Sequence, residues 1–133
     1  MTERYGVIIE EYCKRHYIKS FLKKYKKKRW DLTEDAIISI AANPLEASEG
    51  TSSLELISDH GDVRVYKGFF KVFGTNVSAK SSGNRFILLV NTNTKLSRVL
   101  LIYGKDHVTS SGETRWWKTK ILNNFKGYKE YIR

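Results

Sequence analysis

The chain predicts an α+β domain in the order β-α-α-β-β-β-β-α. A mainly antiparallel, twisted sheet is packed on one face by an N-terminal helical pair, and an extra C-terminal helix follows. Three observations predict this. Apolar residues between Tyr17 and Tyr25 recur at helical spacing. The middle of the chain changes to short β-branched and aromatic runs bounded by turn residues. Helical spacing then returns at Trp117, Ile121, Phe125 and Tyr128. A chain of 133 residues suits one domain over 1–133 with a core that needs no staples.

Each element has its own warrant. Tyr5 to Tyr12 contains the consecutive β-branched residues Val7, Ile8 and Ile9, which favour a first strand over the start of a helix. From about Lys14 the stripe Tyr17, Ile18, Phe21, Leu22 and Tyr25 makes one helix face. A second helix is expected from Thr33, capped by its hydroxyl, with Glu34 and Asp35 favourable against the dipole. Leu32 and Ile37 stand where a hydrophobic staple would sit. Pro44 is expected to end that helix, and Leu45 to Ser53 reads as a polar loop.

Strands follow. Leu54 to Ser58 is short, and His60-Gly61-Asp62 is a turn. Val63 to Phe73 is long, but its apolar parity changes: Val63 and Val65 share one face, Phe70 and Val72 the other. A bulge near Gly68 is expected to bring both pairs to the core, leaving Phe69 and Lys71 facing away from the helices. Phe86 to Val90 and Arg98 to Tyr103 flank the turn Asn91 to Leu96 and form a central hairpin. Ser110 and Glu113 have capping-box spacing ahead of the last helix.

Composition narrows the function. The net charge is +10, with 24 Lys and Arg against 14 Asp and Glu, so phosphate is the first partner to consider. No apolar run approaches membrane-spanning length, and the N-terminus lacks the order of a secretory leader. Cys13 is the one cysteine, which points to a reducing cytoplasm. His16, His60 and His107 are scattered without metal-ligand spacing, so neither a metal nor another cofactor is expected. Chemistry would then run on Lys, Arg, His and aromatic side chains.

Arg85 stands out. It follows a Ser-Ser-Gly-Asn turn and heads the apolar run Phe86 to Val90, where a guanidinium is costly unless an anion or a partner compensates it. The lysine-rich stretch Lys23, Lys24, Lys26, Lys27, Lys28 and Arg29 offers a positive helix face. Trp116 lies about 100° off the apolar stripe of the last helix, beside Arg115 and Lys120.

The ordered set Phe21-Leu-Lys-Lys-Tyr-Lys-Lys-Lys28, Phe69-Phe-Lys-Val72, Gly83-Asn-Arg-Phe-Ile-Leu-Leu-Val90 and Val99-Leu-Leu-Ile-Tyr-Gly-Lys105 resembles the RelE/ParE superfamily of type II toxin–antitoxin toxins. The resemblance covers about residues 5–107, with 108–133 as a helical extension outside the pattern. It implies a small RelE-like fold. It also implies a metal-independent endoribonuclease that cleaves messenger RNA in the ribosomal A site through basic residues on the concave sheet face. Arg85 resembles the family's phosphate-binding arginine and Lys71 its strand lysine. His107 lies where some members place a catalytic histidine. Lys105 falls near a second arginine of many members, and the family's C-terminal tyrosine has no clear counterpart. The implied partners are the ribosome, mRNA and a cognate antitoxin of acidic character, with no membrane.

These residue types suit such chemistry. Metal-free RNA cleavage needs a base for the 2′-OH proton, cations for the phosphorane and an acid for the leaving oxygen. Arg85 would supply the fork, Lys71, Lys105 and His107 the proton traffic, and Lys80 further positive charge. Lys23, Lys24, Lys27, Lys28, Lys80 and Arg115 would grip RNA backbone, and an exposed Trp116 would stack on a base. Each has a plainer alternative. Arg85 can cap a turn, the lysines can be solvated surface, His107 can be an ordinary surface histidine, and Trp116 can close the core edge. At the level of the whole chain, a ParE-like DNA gyrase inhibitor and a non-catalytic basic RNA-binding module stand as the alternatives.

Overall fold

A computed structural model describes residues 4–50, 53–109 and 112–132. The architecture is α+β, built on a five-stranded sheet in the order β1-β5-β4-β3-β2. β1 (Gly6–Ile9) runs parallel to its neighbour β5 (Leu96–Tyr103). β2 (Leu54–Asp59), β3 (Val63–Phe69), β4 (Arg85–Asn91) and β5 are joined antiparallel. The hairpin of β4 and β5 is central, as its nearly unbroken apolar runs require.

The first helical stretch comprises α1 (Glu11–Cys13), a π-helical segment (Lys14–Ile18) and α2 (Lys19–Lys24). Tyr25 is extended, φ −121° and ψ 153°, and breaks it. α3 (Lys27–Ala42) then starts within the lysine run, six residues earlier than expected from Thr33. Lysine and arginine are good helix formers, and this outweighs the capping signal. Thr33 is instead buried in mid-helix, where its hydroxyl donates to Arg29 O (2.8 Å) and accepts from Phe73 N–H (2.9 Å). Pro44 does not merely stop a helix. It opens α4 (Pro44–Glu49), because a first-turn residue needs no N–H partner, so the expected polar loop is largely helical.

The sheet is covered on both faces. On one, Phe21, Trp30 and Ile37 of the N-terminal helices pack against Tyr66, Phe86 and Ile102. On the other, α6 (Glu113–Asn124) and the C-terminal turn α7 (Lys129–Ile132) lay Trp116, Trp117, Ile121 and Ile132 over Val65, Ile87, Leu89, Leu101 and Tyr103. The parity change in β3 therefore needs no bulge. Val63 and Val65 serve the α6 face, and Phe70 and Val72 serve the other. β3 and β4 pair without a register shift from Val63 to Phe69. Shifts occur instead between Leu56 and Ser58 in β2, and opposite Ile87 and Leu88 in β5. Ser110, half of the expected capping box, lies outside the described residues. Gly112 precedes Glu113 at the helix start.

Gly68 has a packing reason. A Cβ there would stand 2.1 Å from Cζ of the fully buried Phe86 ring. Gly68→Ala is expected to cost about 1–3 kcal/mol by overpacking. Phe86→Leu in the same chain should recover part of that loss. Urea midpoints of the single and double variants check it, and equal instability of the two would overturn the overpacking assignment.

Candidate nucleic-acid interface

Three strand ends meet at one edge of the sheet. Phe69 closes β3, Arg85 opens β4 and Tyr103 closes β5, and the three are cross-strand neighbours in register. The chain reaches Arg85 through α5 (Ala79–Ser82), a single turn capped by Ser78, whose hydroxyl accepts from Ser81 N–H at 3.1 Å. Gly83 follows with φ +79°, a left-handed conformation that glycine adopts without cost. The Ser82 hydroxyl lies 2.7 Å from Phe70 O and 2.6 Å from Ala79 O as donor, and accepts from Asn84 N–H at 3.0 Å. This ties the turn to the end of β3.

The Arg85 guanidinium is turned into that loop. Nη1 donates to Asn84 O (2.9 Å) and Ala79 O (3.3 Å), and Nη2 donates to Lys80 O (2.8 Å). Its Cζ lies 4.6 Å from the Phe69 ring centroid, with Lys80 Nζ 5.4 Å from the same ring. Arg85 thus holds the turn that delivers it while remaining half-buried at the sheet edge. Nε–H is buried without a partner.

Lys105 and His107 sit in a short 3-10 turn, Lys105–His107, just past β5. The aliphatic stem of Lys105 lies on Gly83, so close that a Cβ there would stand 2.3 Å from its Cγ. That places Lys105 beside the residues leading to Arg85. A cavity of about 470 Å³ opens next to it, lined by Ser20, Phe21, Lys24, Asn84, Lys105 and His107 among others. The Lys24 ammonium stands 3.8 Å from Asp106.

His107 has a defined tautomer. Gly104 N–H donates to Nδ1 at 2.9 Å, and the Ser20 hydroxyl donates to Tyr17 O at 2.9 Å. Nε2 therefore carries the proton and donates to Ser20 Oγ at 2.6 Å. Burial against Tyr17 and Phe21 lowers the imidazole below its ordinary 6.5, against a weaker upward pull from Asp106. A group with a lowered folded value favours the neutral form. Its stabilising contribution is complete above 6.5 and is lost as pH falls from 6.5 through the lowered value. His107→Gln keeps a donor towards Ser20 and removes the titration. The fall in urea midpoint between neutral pH and about pH 5 is expected to flatten in this variant. An undiminished fall would place its origin elsewhere.

The other candidate residues divide. Lys71 lies two positions beyond the end of β3, exposed in an irregular segment and not on the strand. It lines, with Phe69 and Ala79, a separate groove on the far side of Phe69. Lys23, Lys24 and Lys28 are exposed on α2 and α3, whereas Lys27 is drawn to Asp31 at 2.9 Å. Arg115 is exposed on α6. Trp116 is not exposed: at 4% accessibility it packs edge-on against Tyr17 and beside Tyr103, because its ring lies in the angle between α6, the sheet and the π-helical segment. It is thus withdrawn from stacking on a base, and its place off the stripe is explained by burial on two sides. The face opposite the N-terminal helices, expected to present the cations, is largely covered by α6.

Sequence patterning missed a polar cluster under the start of α6. Tyr103 Oη donates to Glu113 Oε2 at 2.7 Å, and Lys67 Nζ stands 3.0 Å from the same oxygen. Burial raises the Tyr103 hydroxyl well above its ordinary range, and the Glu113 bond adds to this. Burial alone would raise the Glu113 carboxyl too, but Tyr103, Lys67 and the field of Arg85 outweigh it and leave it below its ordinary value. The available signal was Lys67 itself, a charge at an inward position of β3 between Val65 and Phe69. Cys13 is buried and its thiol is pushed up to about 12 by desolvation, which leaves it inert.

No protein-family model matches the chain, and no curated protein sequence matches it. Among solved structures, it is similar to a chain in the crystal structure of the archaeal RelE–RelB complex from Pyrococcus horikoshii OT3. The TM-score is 0.49 at 16% identity, over 79% of this chain and 99% of that one. Among the described residues, no helix is long and apolar enough to cross a membrane, and no group of three or more His, Cys, Asp or Glu side chains could hold a metal ion.

Proposed function

We propose that the protein is a RelE-like toxin of a type II toxin–antitoxin module. It would cleave mRNA on the ribosome by metal-independent attack of a 2′-OH on the adjacent phosphodiester. The observation that carries this is the meeting of three strand ends, which gathers Lys80, Arg85 and Lys105 and sets them beside the cavity bearing Lys24 and His107. The sequence pattern Gly83-Asn-Arg85 supports the same assignment.

In this proposal Arg85 meets the phosphorane with the donors its carbonyls leave unused, and Lys80 and Lys105 add charge. The lone pair of His107 on Nδ1 is already taken by Gly104, so it suits positioning better than proton abstraction. Lys105 is then the nearby nitrogen base, with Lys71 set apart in its own groove. The exposed Lys23, Lys24 and Lys28 would track ribosomal RNA phosphate. A strongly basic chain favours an acidic antitoxin segment as its partner.

One observation favours a second reading, a basic module that binds RNA without cutting it: Arg85 and His107 both spend hydrogen bonds on their own loops. Primer extension on a defined message with translating ribosomes separates the two. New 5′ ends at A-site codons, absent from ribosome-free RNA, are expected. Ribosome binding without cuts from a folded preparation would favour the second.

A further inference from the structure

Glu113 is the first residue of α6, yet its carboxylate points into a nest of donors. Tyr103 Oη and Lys67 Nζ both reach Oε2, at 2.7 Å and 3.0 Å. The Lys67 side chain is 17% exposed and Tyr103 is 1% exposed, so both groups are largely withdrawn from bulk water. Arg85 is the cross-strand neighbour of Tyr103, its charge bears on both Tyr103 and Glu113, and its buried Nε–H lacks an acceptor. Lys80 stands over the same Phe69 ring as Arg85.

A phenol and an ammonium at hydrogen-bond distance, in the field of the Arg85 guanidinium, form a receptor for a tetrahedral oxyanion. One carboxylate does not balance that charge. A phosphate with three acceptor oxygens would engage the donors that Glu113 reaches through a single oxygen. The Glu113 side chain is 36% exposed, so an anion in solution can approach the same place. α6 need not leave, since Trp116, Trp117 and Ile121 anchor it further along. Rotation of one side chain is enough.

We propose that Lys67, Tyr103 and Arg85 form a binding site for a phosphate or phosphodiester oxyanion, and that Glu113 is the internal carboxylate that closes it until such a ligand displaces it. This rests on the function proposed above in giving Arg85 to the phosphodiester and in taking RNA as its source, and adds to it Lys67, Tyr103 and the closing role of Glu113. The site itself would bind inorganic phosphate alone.

The test uses the full chain and two probes, inorganic phosphate and a 2′-O-methyl single-stranded RNA that cannot be cleaved. Glu113→Gln keeps an acceptor for Tyr103 and removes the competing charge. Calorimetry at low salt is expected to give about tenfold tighter phosphate binding than the unaltered protein. Adding Lys67→Met should abolish the gain. A folded Glu113→Gln with unchanged affinity, or a gain that survives Lys67→Met, would overturn the site.

Should Glu113→Gln fail to fold, phosphate titration of the unaltered protein by NMR decides. Shifts at the Lys67 ammonium and the Tyr103 ring support the site, and their absence overturns it. A gain for phosphate and RNA alike identifies a phosphodiester site. A gain for phosphate alone identifies a free-anion site and removes RNA as the source. Because neither probe can be cut, these outcomes are independent of whether ribosomes reveal cleavage.

Discussion

Arg85→Lys is expected to lower ribosome-dependent cleavage about 100- to 1000-fold, the usual loss when a donor aimed at developing charge is withdrawn. The variant should remain folded, because a lysine ammonium can still reach one of the three carbonyls that the guanidinium now holds. Arg85→Ala is expected to do more. Asn84 O and Lys80 O would lose the side-chain donor they now have, Ala79 O would keep only the Ser82 hydroxyl, and the Phe69 ring would lose the nearer of its two cations. That should cost about 2–3 kcal/mol on top of the activity. Cleavage mapped by primer extension, alongside urea midpoints, checks both. If Arg85→Lys lost stability but kept full cleavage, Arg85 would be a turn-capping residue and the proposed site would lose its centre.

Truncation after Thr109 is expected to leave an insoluble or loosely packed chain, although the family resemblance ends near residue 107. α6 and α7 cover Val65, Ile87, Leu89, Leu101 and Tyr103, and removing them would expose a continuous apolar sheet face to water. A graded form of the same test is Trp117→Ala. Trp117 is 1% exposed and among the largest fully buried side chains, so its removal should cost about 3–5 kcal/mol. Circular dichroism and dye binding of the truncated chain, with denaturant midpoints of the point variant, measure the effect. A truncated chain that stayed monomeric and melted cooperatively would make the C-terminal segment an appendage rather than half of the core.

Much of the fold was legible because periodicity reports burial. The central hairpin followed from two apolar runs flanking a turn, the first strand from consecutive β-branched residues, and the start of α6 from helical spacing, although α6 ends at Asn124 and leaves Phe125 and Tyr128 of the expected stripe beyond it. The errors lie where local signals compete. Thr33 carries a good capping pattern but sits inside a helix that lysines had already begun. Pro44 is as compatible with a helix start as with a stop. The parity change in β3 suggested a bulge because one buried face was assumed, and a strand buried on both sides shows no clean alternation.

The geometry of the candidate site was legible in part. Gly83 and Arg85 mark a turn feeding a buried strand, and that turn is where Lys80 and Lys105 gather. Lys71 was misjudged because the strand it was assigned to ends at Phe69. Trp116 was misjudged because a helix wheel sees one packing face, whereas Tyr17 and Tyr103 supply two.

By itself the sequence determined the class of fold, the excess of positive charge and the identity of the arginine that heads the central strand. Those are properties of composition and of order along the chain. Only the tertiary structure decided that α6 closes the second sheet face, that His107 carries its proton on Nε2, and that Lys67, Tyr103 and Glu113 meet. The physical reason is that hydrogen-bond partners far apart in sequence, such as Ser20 with His107 or Lys67 with Glu113, leave no periodic trace. Their energies are fixed by distance and burial, which come into being only when the sheet assembles.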